Sequence, residues 1–382
     1  MSHVDMAVHG FTDEELQVGQ LAYDISSKYA GASLHDPDAI NAVWDQMKRT
    51  GLTALGLPQE YGGSGENLLL LTLVSERAAA AGFPCSRMTL CQGIIGRIIW
   101  RSATEAQRQE WLPRIAAGDA LFSFGLTEAG SGSNAMQMGT TARRKGDRWI
   151  ITGEKSYISD FDNADALLLA AQTPSEGGIS LFIVRNPRER IESQPQGMAF
   201  ETSSGQPHTL YIDNLELDDA DLVGTPGSGM RAIFPGLNVE RILTAAQAIG
   251  LGRWGLDRAI SYANERAVFG VPIGTYQGIQ HPLAETYVSL ECAWALNVAV
   301  ARAFDDGGSA GAQANAAKIA AADAGFNAMD RALQVHGGSG YTSDAGLIER
   351  YLMTRFFKTA PVTRELALNH LSVQALSLPR SY

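Results

Sequence analysis

Residues 126–134 read Leu-Thr-Glu-Ala-Gly-Ser-Gly-Ser-Asn and follow a strand-like run, Leu121-Phe122-Ser123-Phe124. A loop of this kind offers backbone N–H groups and small hydroxyls with no bulk to keep a ligand away. The plain alternative is an ordinary turn, the commonest use of Gly and Ser between elements. Further on, Glu240 lies in a helical pattern among Leu237, Val239, Leu243 and Thr244, with Gly236 one turn back. A carboxylate amid apolar residues, with room beside it, is what a base of raised pKa needs. Adjacent helix residues do not share a face, so simple pairing with Arg241 is unfavourable. Arg266 could fork onto two phosphate oxygens, or be a solvated charge at a helix end. Gly337-Gly338 could let a ligand approach, or simply stop a helix.

The elements that must position these groups follow from pattern. Thr12 reads as an N-cap with Glu15 as its capping-box partner, ahead of Val18, Leu21, Ala22, Ile25 and Tyr29 at helical spacing. Asp36-Pro37 starts a second helix that Gly51 ends. Helices resume over about 66–81 and 86–101, and Thr104 to Gln107 caps one more. Near Ala120 the period changes to that of strands, over 122–126, 140–144, 148–152, 166–171, 179–184, 209–212 and 215–217. Lys145-Gly146-Asp147 reads as a hairpin turn. Beyond Gly229 long amphipathic helical patterns cover about 236–266, 278–304, 311–336 and 361–376. The fold class is therefore α+β: an N-terminal helical domain (1–119), a central β-domain (120–228) and a C-terminal helical bundle (229–382).

Composition narrows the function. A chain of 382 residues, 45% hydrophobic and 19% charged, can bury a substantial core. A net charge of -11 argues against nucleic acid as a partner. Cys85, Cys91 and Cys292 form neither a metal spacing nor a disulfide framework, so no metal is expected. The first residues lack a signal-peptide pattern, and the apolar runs are too short or too charged to span a bilayer. The expectation is a cytoplasmic protein that does not enter the membrane.

Four ordered motifs resemble those of the acyl-CoA dehydrogenase family, flavoproteins with helical, β and four-helix-bundle domains. Phe124 to Asn134 is similar to its flavin-binding T-E-P-x-A-G-S-D signature, with Ala129 in place of the proline and Asn134 in place of the aspartate. Residues 153–159, G-E-K-S-Y-I-S, resemble its G-x-K-x-W-I-T-N. Arg266 to Gly270 with Gln277 resembles its R-x-x-F-G and later Gln, and Gln334 to Tyr341 its Q-x-x-G-G-x-G. The resemblance implies FAD as cofactor. Phe124 and Leu126 would supply an apolar wall and Thr127 a donor. Ser133 would lie near the pyrophosphate or the substrate's phosphates. Tyr157 stands where the family packs a tryptophan on the ring, and Ser159 where it has a threonine; the alternative for Tyr157 is a core aromatic in a strand. Arg266, Phe269, Gln277, Gln334, Gly337 and Gly338 would bind the ADP half, largely in a neighbouring subunit. Thr363, if paired with the family's threonine, would lie near the flavin.

The implied reaction removes two hydrogens across Cα–Cβ of an acyl-CoA thioester, to the 2-enoyl-CoA. Many members place the base in a C-terminal Y-E-G-T. Here the same count falls on Val362, or on Pro361 if Thr363 is paired with the family's threonine. Neither takes a proton, and Pro361 lacks the backbone N–H of the usual oxyanion donor. A subset including isovaleryl- and long-chain-type dehydrogenases keeps its base in a stretch like L-D-L-E-R. Residues 237–241 here are L-N-V-E-R, which assigns Glu240 as base and Leu237, Asn238 and Arg241, with Ser133, to the substrate. Glu365 is the second choice. The subset points to branched, longer or cyclic acyl groups. An electron-transferring flavoprotein as electron acceptor and a homotetramer are further implications. Alternatives on the same fold are a flavin oxidase or monooxygenase, and a catalytically weak flavin-bearing binding protein.

Overall fold

The computed structural model describes residues 6–65, 67–198, 200, 203, 205–308 and 311–381. It separates into two compact units: one gathers Met1–Met47, Asn67–Cys85 and Asn238–Tyr382, the other Lys48–Glu66 and Ser86–Leu237. In chain order the helices are α1 (Asp13–Ser27), α2 (Pro37–Arg49), α3 (Leu68–Ala80), α4 (Ser86–Met88), α5 (Arg97–Ser102), α6 (Glu105–Ala116), α7 (Pro187–Arg190), α8 (Gly229–Glu265), α9 (Gln277–Asp305), α10 (Gly311–His336), α11 (Leu347–Phe356) and α12 (Arg364–Gln374). Among the described residues no helix is long and apolar enough to cross a membrane.

The first unit is helical, and small residues set how closely its helices pass. A Cβ on Gly250 of α8 would lie 2.3 Å from the Glu76 carbonyl oxygen of α3, and one on Gly325 of α10 would lie 2.2 Å from that of Ala248. Buried Ala314, Ala317, Ala321, Ala324 and Ala328 continue the seam along α10 at helical spacing. Arg253 of α8 is buried between Glu76 (2.7 Å) and Glu291 of α9 (2.6 Å). A buried cation with two carboxylate partners fixes the rotation of α8. The predicted capping box is present: Thr12 Oγ1 accepts from Glu15 N–H and Glu15 Oε2 from Thr12 N–H.

The second unit is built on a sheet ordered β6-β7-β3-β2-β4-β5-β8, with β1 parallel to β4. Its strands are β1 (Phe122–Gly125), β2 (Thr141–Lys145), β3 (Arg148–Ile158), β4 (Ala166–Thr173), β5 (Gly178–Arg185), β6 (Glu192–Pro195), β7 (His208–Asp218) and β8 (Leu222–Val223). Gly146 and Asp147 form the predicted turn between β2 and β3. Two sequence readings are corrected. The strands expected at 209–212 and 215–217 are one strand, β7, and Asp213-Asn214 between them forms a bulge, with Asn214 at φ 48°. The helix expected over 86–101 is wound as a π-helix from Thr89 to Gly96. There Gly96 passes so close to Leu57 that a Cβ would meet its Cδ2 at 2.6 Å.

β1 delivers the chain directly into the 126–134 loop. Glu128 organises that loop. Its carboxylate accepts from buried Lys155 of β3 (2.8 Å), from Thr140 N–H (3.0 Å) and from Gly139 N–H, and its backbone pairs with that of Ser131. Burial pushes the Glu128 carboxyl up, but the bonds from Lys155, Thr140 and Gly139 outweigh it and hold the group below its ordinary range. Replacing Glu128 by Ala leaves the Lys155 ammonium buried and unpaired. Glu128→Ala should cost about 3–5 kcal/mol, read as a lower urea midpoint. The apolar pair Glu128→Leu with Lys155→Met should regain most of it. A single variant that unfolds at the wild-type midpoint contradicts this role.

Candidate active site

The 126–134 loop and the end of β3 are held side by side. Thr127 O accepts from Ser156 N–H (2.9 Å), and Ser159 O accepts from Ser123 Oγ (2.9 Å). Ser131 Oγ donates to Asn134 O (2.9 Å), closing the loop on itself. Phe124, Leu126, Thr127 and Ser159 are half-buried, and Ser133 is exposed. A Cβ on Gly130 or Gly132 would meet nothing within 4 Å.

Tyr157 is not the core aromatic that its strand setting allows. It is 57% exposed and takes φ 60°, a left-handed conformation costly for a bulky residue, while its N–H donates to Gln196 Oε1 (3.1 Å). The register of β3 against β7 shifts between Lys155 and Ile158, which turns this side chain outward. An exposed aromatic face, adjacent hydroxyls and open glycine backbone suit a flat polar ring, and these residues fit a flavin. In the same unit Leu237 is half-buried, and a Cβ on Gly236 would lie 2.9 Å from Ile94 O in the π-helix.

In the first unit, Glu240 is half-buried on α8, and its carboxylate makes no hydrogen bond or ion pair with any described residue. Burial pushes that carboxyl up to about 7, against the opposing pull of Arg241 and Lys318. Arg241 is not its partner: Arg241 Nη1 donates to Asn238 Oδ1 (2.6 Å), and its Nε is buried without an acceptor. Sequence reasoning missed Lys318. It is 1% exposed on α10 and donates from Nζ to Val362 O (2.6 Å). Its one signal was a lone cation in an alanine-rich stretch, A-A-K-I-A-A-A. Thr363 spends its hydroxyl oxygen as the N-cap of α12, accepting from Leu366 N–H (3.2 Å). Glu365 is exposed on α12 and has no dry setting.

The residues assigned to the ADP half gather elsewhere on this unit. Arg266, Phe269, Gln277, Gln334, Gly337 and Gly338 are all exposed. Tyr262 joins the two motifs, stacking on His336 (centroids 4.5 Å apart), with its hydroxyl 3.4 Å from Ser339 Oγ. Phe269 is 97% exposed at φ 51° in the turn between β9 (Ala267–Val268) and β10 (Val271–Pro272). The structure does not bring this group to Glu240 within one chain. Glu240 and Glu265 are 25 residues apart on α8, about 37 Å at 1.5 Å per residue.

Residues 6–119, 123–212 and 227–371 match the N-terminal, middle and C-terminal domains of acyl-CoA dehydrogenase. An acyl-CoA dehydrogenase of Mycobacterium tuberculosis is 38% identical over 346 residues, 89% of this chain and 89% of its own. Glutaryl-CoA dehydrogenase of Desulfococcus multivorans is 33% identical across 82% of this chain and 81% of its own. A glutaryl-CoA dehydrogenase from Mycobacterium smegmatis, solved in complex with FADH2, has a TM-score of 0.84 at 27% identity, covering 97% of this chain and 96% of that one. The chain belongs to the acyl-CoA dehydrogenase family of FAD-dependent oxidoreductases.

Proposed function

We propose that this protein removes two hydrogens across Cα–Cβ of an acyl-CoA thioester to give the 2-enoyl-CoA, with Glu240 taking the α-proton. One observation carries the assignment: the Glu240 carboxylate is unbonded and half-buried, with burial pushing it up to about 7. A base works best when its pKa lies near the operating pH. A carboxylate locked in a hydrogen-bonded ion pair, as Glu128 is with Lys155, would be too weak a base. Glu240 keeps accessible surface through which a thioester can approach, and a carboxyl raised to about 7 can both take and release a proton near neutral pH.

FAD, when bound, supplies the two-electron acceptor for the β-hydrogen, which leaves as hydride. The other assignments concern what the chain holds in place. Phe124, Leu126, Thr127, Ser133, Tyr157 and Ser159 present the wall and hydroxyls described above. Leu237, Asn238 and Arg241 border the substrate, with the guanidinium oriented by the Asn238 amide. Arg266, Phe269, Gln277, Gln334, Gly337 and Gly338 hold the ADP half, and Thr363 lies in the capped turn before α12. Both relatives compared above are named dehydrogenases, which supports electron transfer to a flavoprotein acceptor over an oxidase or monooxygenase reaction.

Glu240→Gln should keep the yellow cofactor and lose bleaching by every member of a panel of CoA thioesters (butyryl, isovaleryl, glutaryl, cyclohexanoyl). The wild type should bleach with at least one and reoxidise slowly in air. Bleaching that survives in Glu240→Gln removes Glu240 as base.

The pH dependence follows from the raised carboxyl. Proton abstraction needs the ionised form, so kcat/KM should fall on the acid side with a limb near pH 7. Stability runs the other way. The folded state binds the proton more tightly than the unfolded chain, so the stability of wild type falls as pH rises from 4.5 to about 7. Above pH 7, Glu240→Gln should therefore melt higher than wild type, and below pH 4.5 the difference should vanish. A variant melting at the wild-type temperature throughout contradicts a dry Glu240.

Assembly into a homotetramer is supported by aromatic surface that one chain leaves uncovered, Phe269 at 97% and Tyr341 at 70% exposure. Sedimentation should give a single species of four chains. A monomer that retains FAD overturns the assignment of these residues to a neighbouring subunit's cofactor.

A further inference from the structure

Among the described residues, neither the buried Lys318 nor the half-buried Arg241 has a hydrogen-bonded carboxylate. Lys318 reaches only the neutral carbonyl of Val362 (2.6 Å), and Arg241 only the neutral side chain of Asn238 (2.6 Å). The Glu240 carboxylate, equally unbonded, is the acidic group on the same stretch of α8. Such a set is costly unless the charges compensate one another across space. α8 and α10 pass side by side here: a Cβ on Gly311 would lie 3.7 Å from the Asn238 amide and one on Gly325 2.2 Å from the Ala248 carbonyl, which sets Lys318 alongside the Glu240-Arg241 stretch. Lys318 and Arg241 each favour the ionised form of Glu240; burial and then Arg241 push the Lys318 ammonium down to about 8, while Glu240, Asp323 and Glu365 favour its charged form.

The other charges near by are already committed or lie further out. Asp323 of α10 pairs with Lys358 (2.6 Å) and Arg364 (3.2 Å). Glu365 on α12 acts on Lys318 only through space and is exposed, and His370 on the same helix is exposed and feels Arg241. Val362 also occupies the position where the straight count puts the C-terminal base of many relatives. The ammonium is bonded to the backbone of a residue that cannot ionise, and the acidic charge is supplied from α8 instead.

We propose that Lys318 is a positioning residue for proton transfer at Glu240: its ammonium, tethered to the Val362 carbonyl, stabilises the negative charge that Glu240 bears before it accepts the substrate proton. A direct hydrogen bond would lock Glu240 ionised and spend its basicity. A cation held off by its tether to Val362 keeps the carboxylate charged and leaves its oxygens free. The proposal rests on Glu240 being the base.

The test uses the FAD-loaded full chain and the panel thioester that bleaches wild type fastest. Lys318→Gln keeps an amide donor for Val362 O and drops the charge; Lys318→Arg keeps the charge. With the ammonium gone, Lys318→Gln should move the acid limb of kcat/KM up by about one pH unit, so that the bleaching rate below the limb falls about tenfold. KM above the limb should stay near wild type, and Lys318→Arg should return the limb towards its wild-type position. A Lys318→Gln limb at the wild-type pH, with Glu240→Gln inactive, overturns the proposal and leaves Glu240 as base. Bleaching by Glu240→Gln overturns the underlying assignment instead. Should Lys318→Gln fail to fold, the ammonium nitrogen of Lys318 is followed by NMR in wild type and Glu240→Gln. A resonance that inflects where Glu240 ionises, and loses that inflection in Glu240→Gln, supports the coupling; one indifferent to Glu240 overturns it.

Discussion

A carboxylate half-buried on α8, with no hydrogen bond among the described residues, is the costly feature that the first unit has to hold in place. Water would hold Glu240 ionised near 4.5; the fold moves it to about 7, a displacement on the order of 3 kcal/mol against ionisation. Left to itself a helix would rotate such a group towards solvent. α8 is prevented from turning by contacts well away from Glu240. Arg253 is gripped from α3 and α9, and Gly250 admits the backbone of α3 while Ala248 meets Gly325 of α10. The ion pairs that hold α8 and the proposed base thus lie on different turns of one helix.

Two of the buried acid–base arrangements show the same physics put to opposite ends. Glu128 and Lys155 are in contact at 2.8 Å with further donors on the carboxylate, so the pair is fixed and shapes a loop. Glu240 and Lys318 feel each other without contact, so the carboxylate stays able to gain and lose a proton. Burial opposes the charged form in both cases; hydrogen bonds decide which side wins. The strained residues divide similarly. Tyr157 and Phe269 hold left-handed backbone with their rings exposed, a cost that packing within one chain does not offset.

Local rules made much of this legible. The Thr12 and Thr104 capping boxes, the Pro37 helix start and the Gly146-Asp147 turn each depend on residues a few positions apart, and each is present as read. The four motifs identified the family because they are short and ordered. What failed depended on distant partners. The π-helix at 89–96 packs Gly96 against Leu57, far away in sequence. The gap between 209–212 and 215–217 closes into one strand only when β3 is laid beside it. α11 was not expected because its burial rests on contacts such as those of Arg350 with the carbonyls of Ala30 and Gly82, hundreds of positions away. Lys318 was passed over because its acceptor is a backbone atom 44 residues on, which no side-chain pattern can mark.

That last contact also explains how the C-terminal turn can lack an acid without disturbing its surroundings. Lys318 grips the Val362 carbonyl, which every amino acid has, so the side chain at 362 is free of the tether. The turn is held independently: Thr363 caps α12, and Lys358 and Arg364 share Asp323 across it. With cation and cap fixed through backbone and flanking residues, the geometry of the turn does not depend on which side chain stands at 362. Under the proposed assignment of Glu240 no acid is needed there, and Val362, at 9% exposure, is an apolar residue that the turn can bury without a partner.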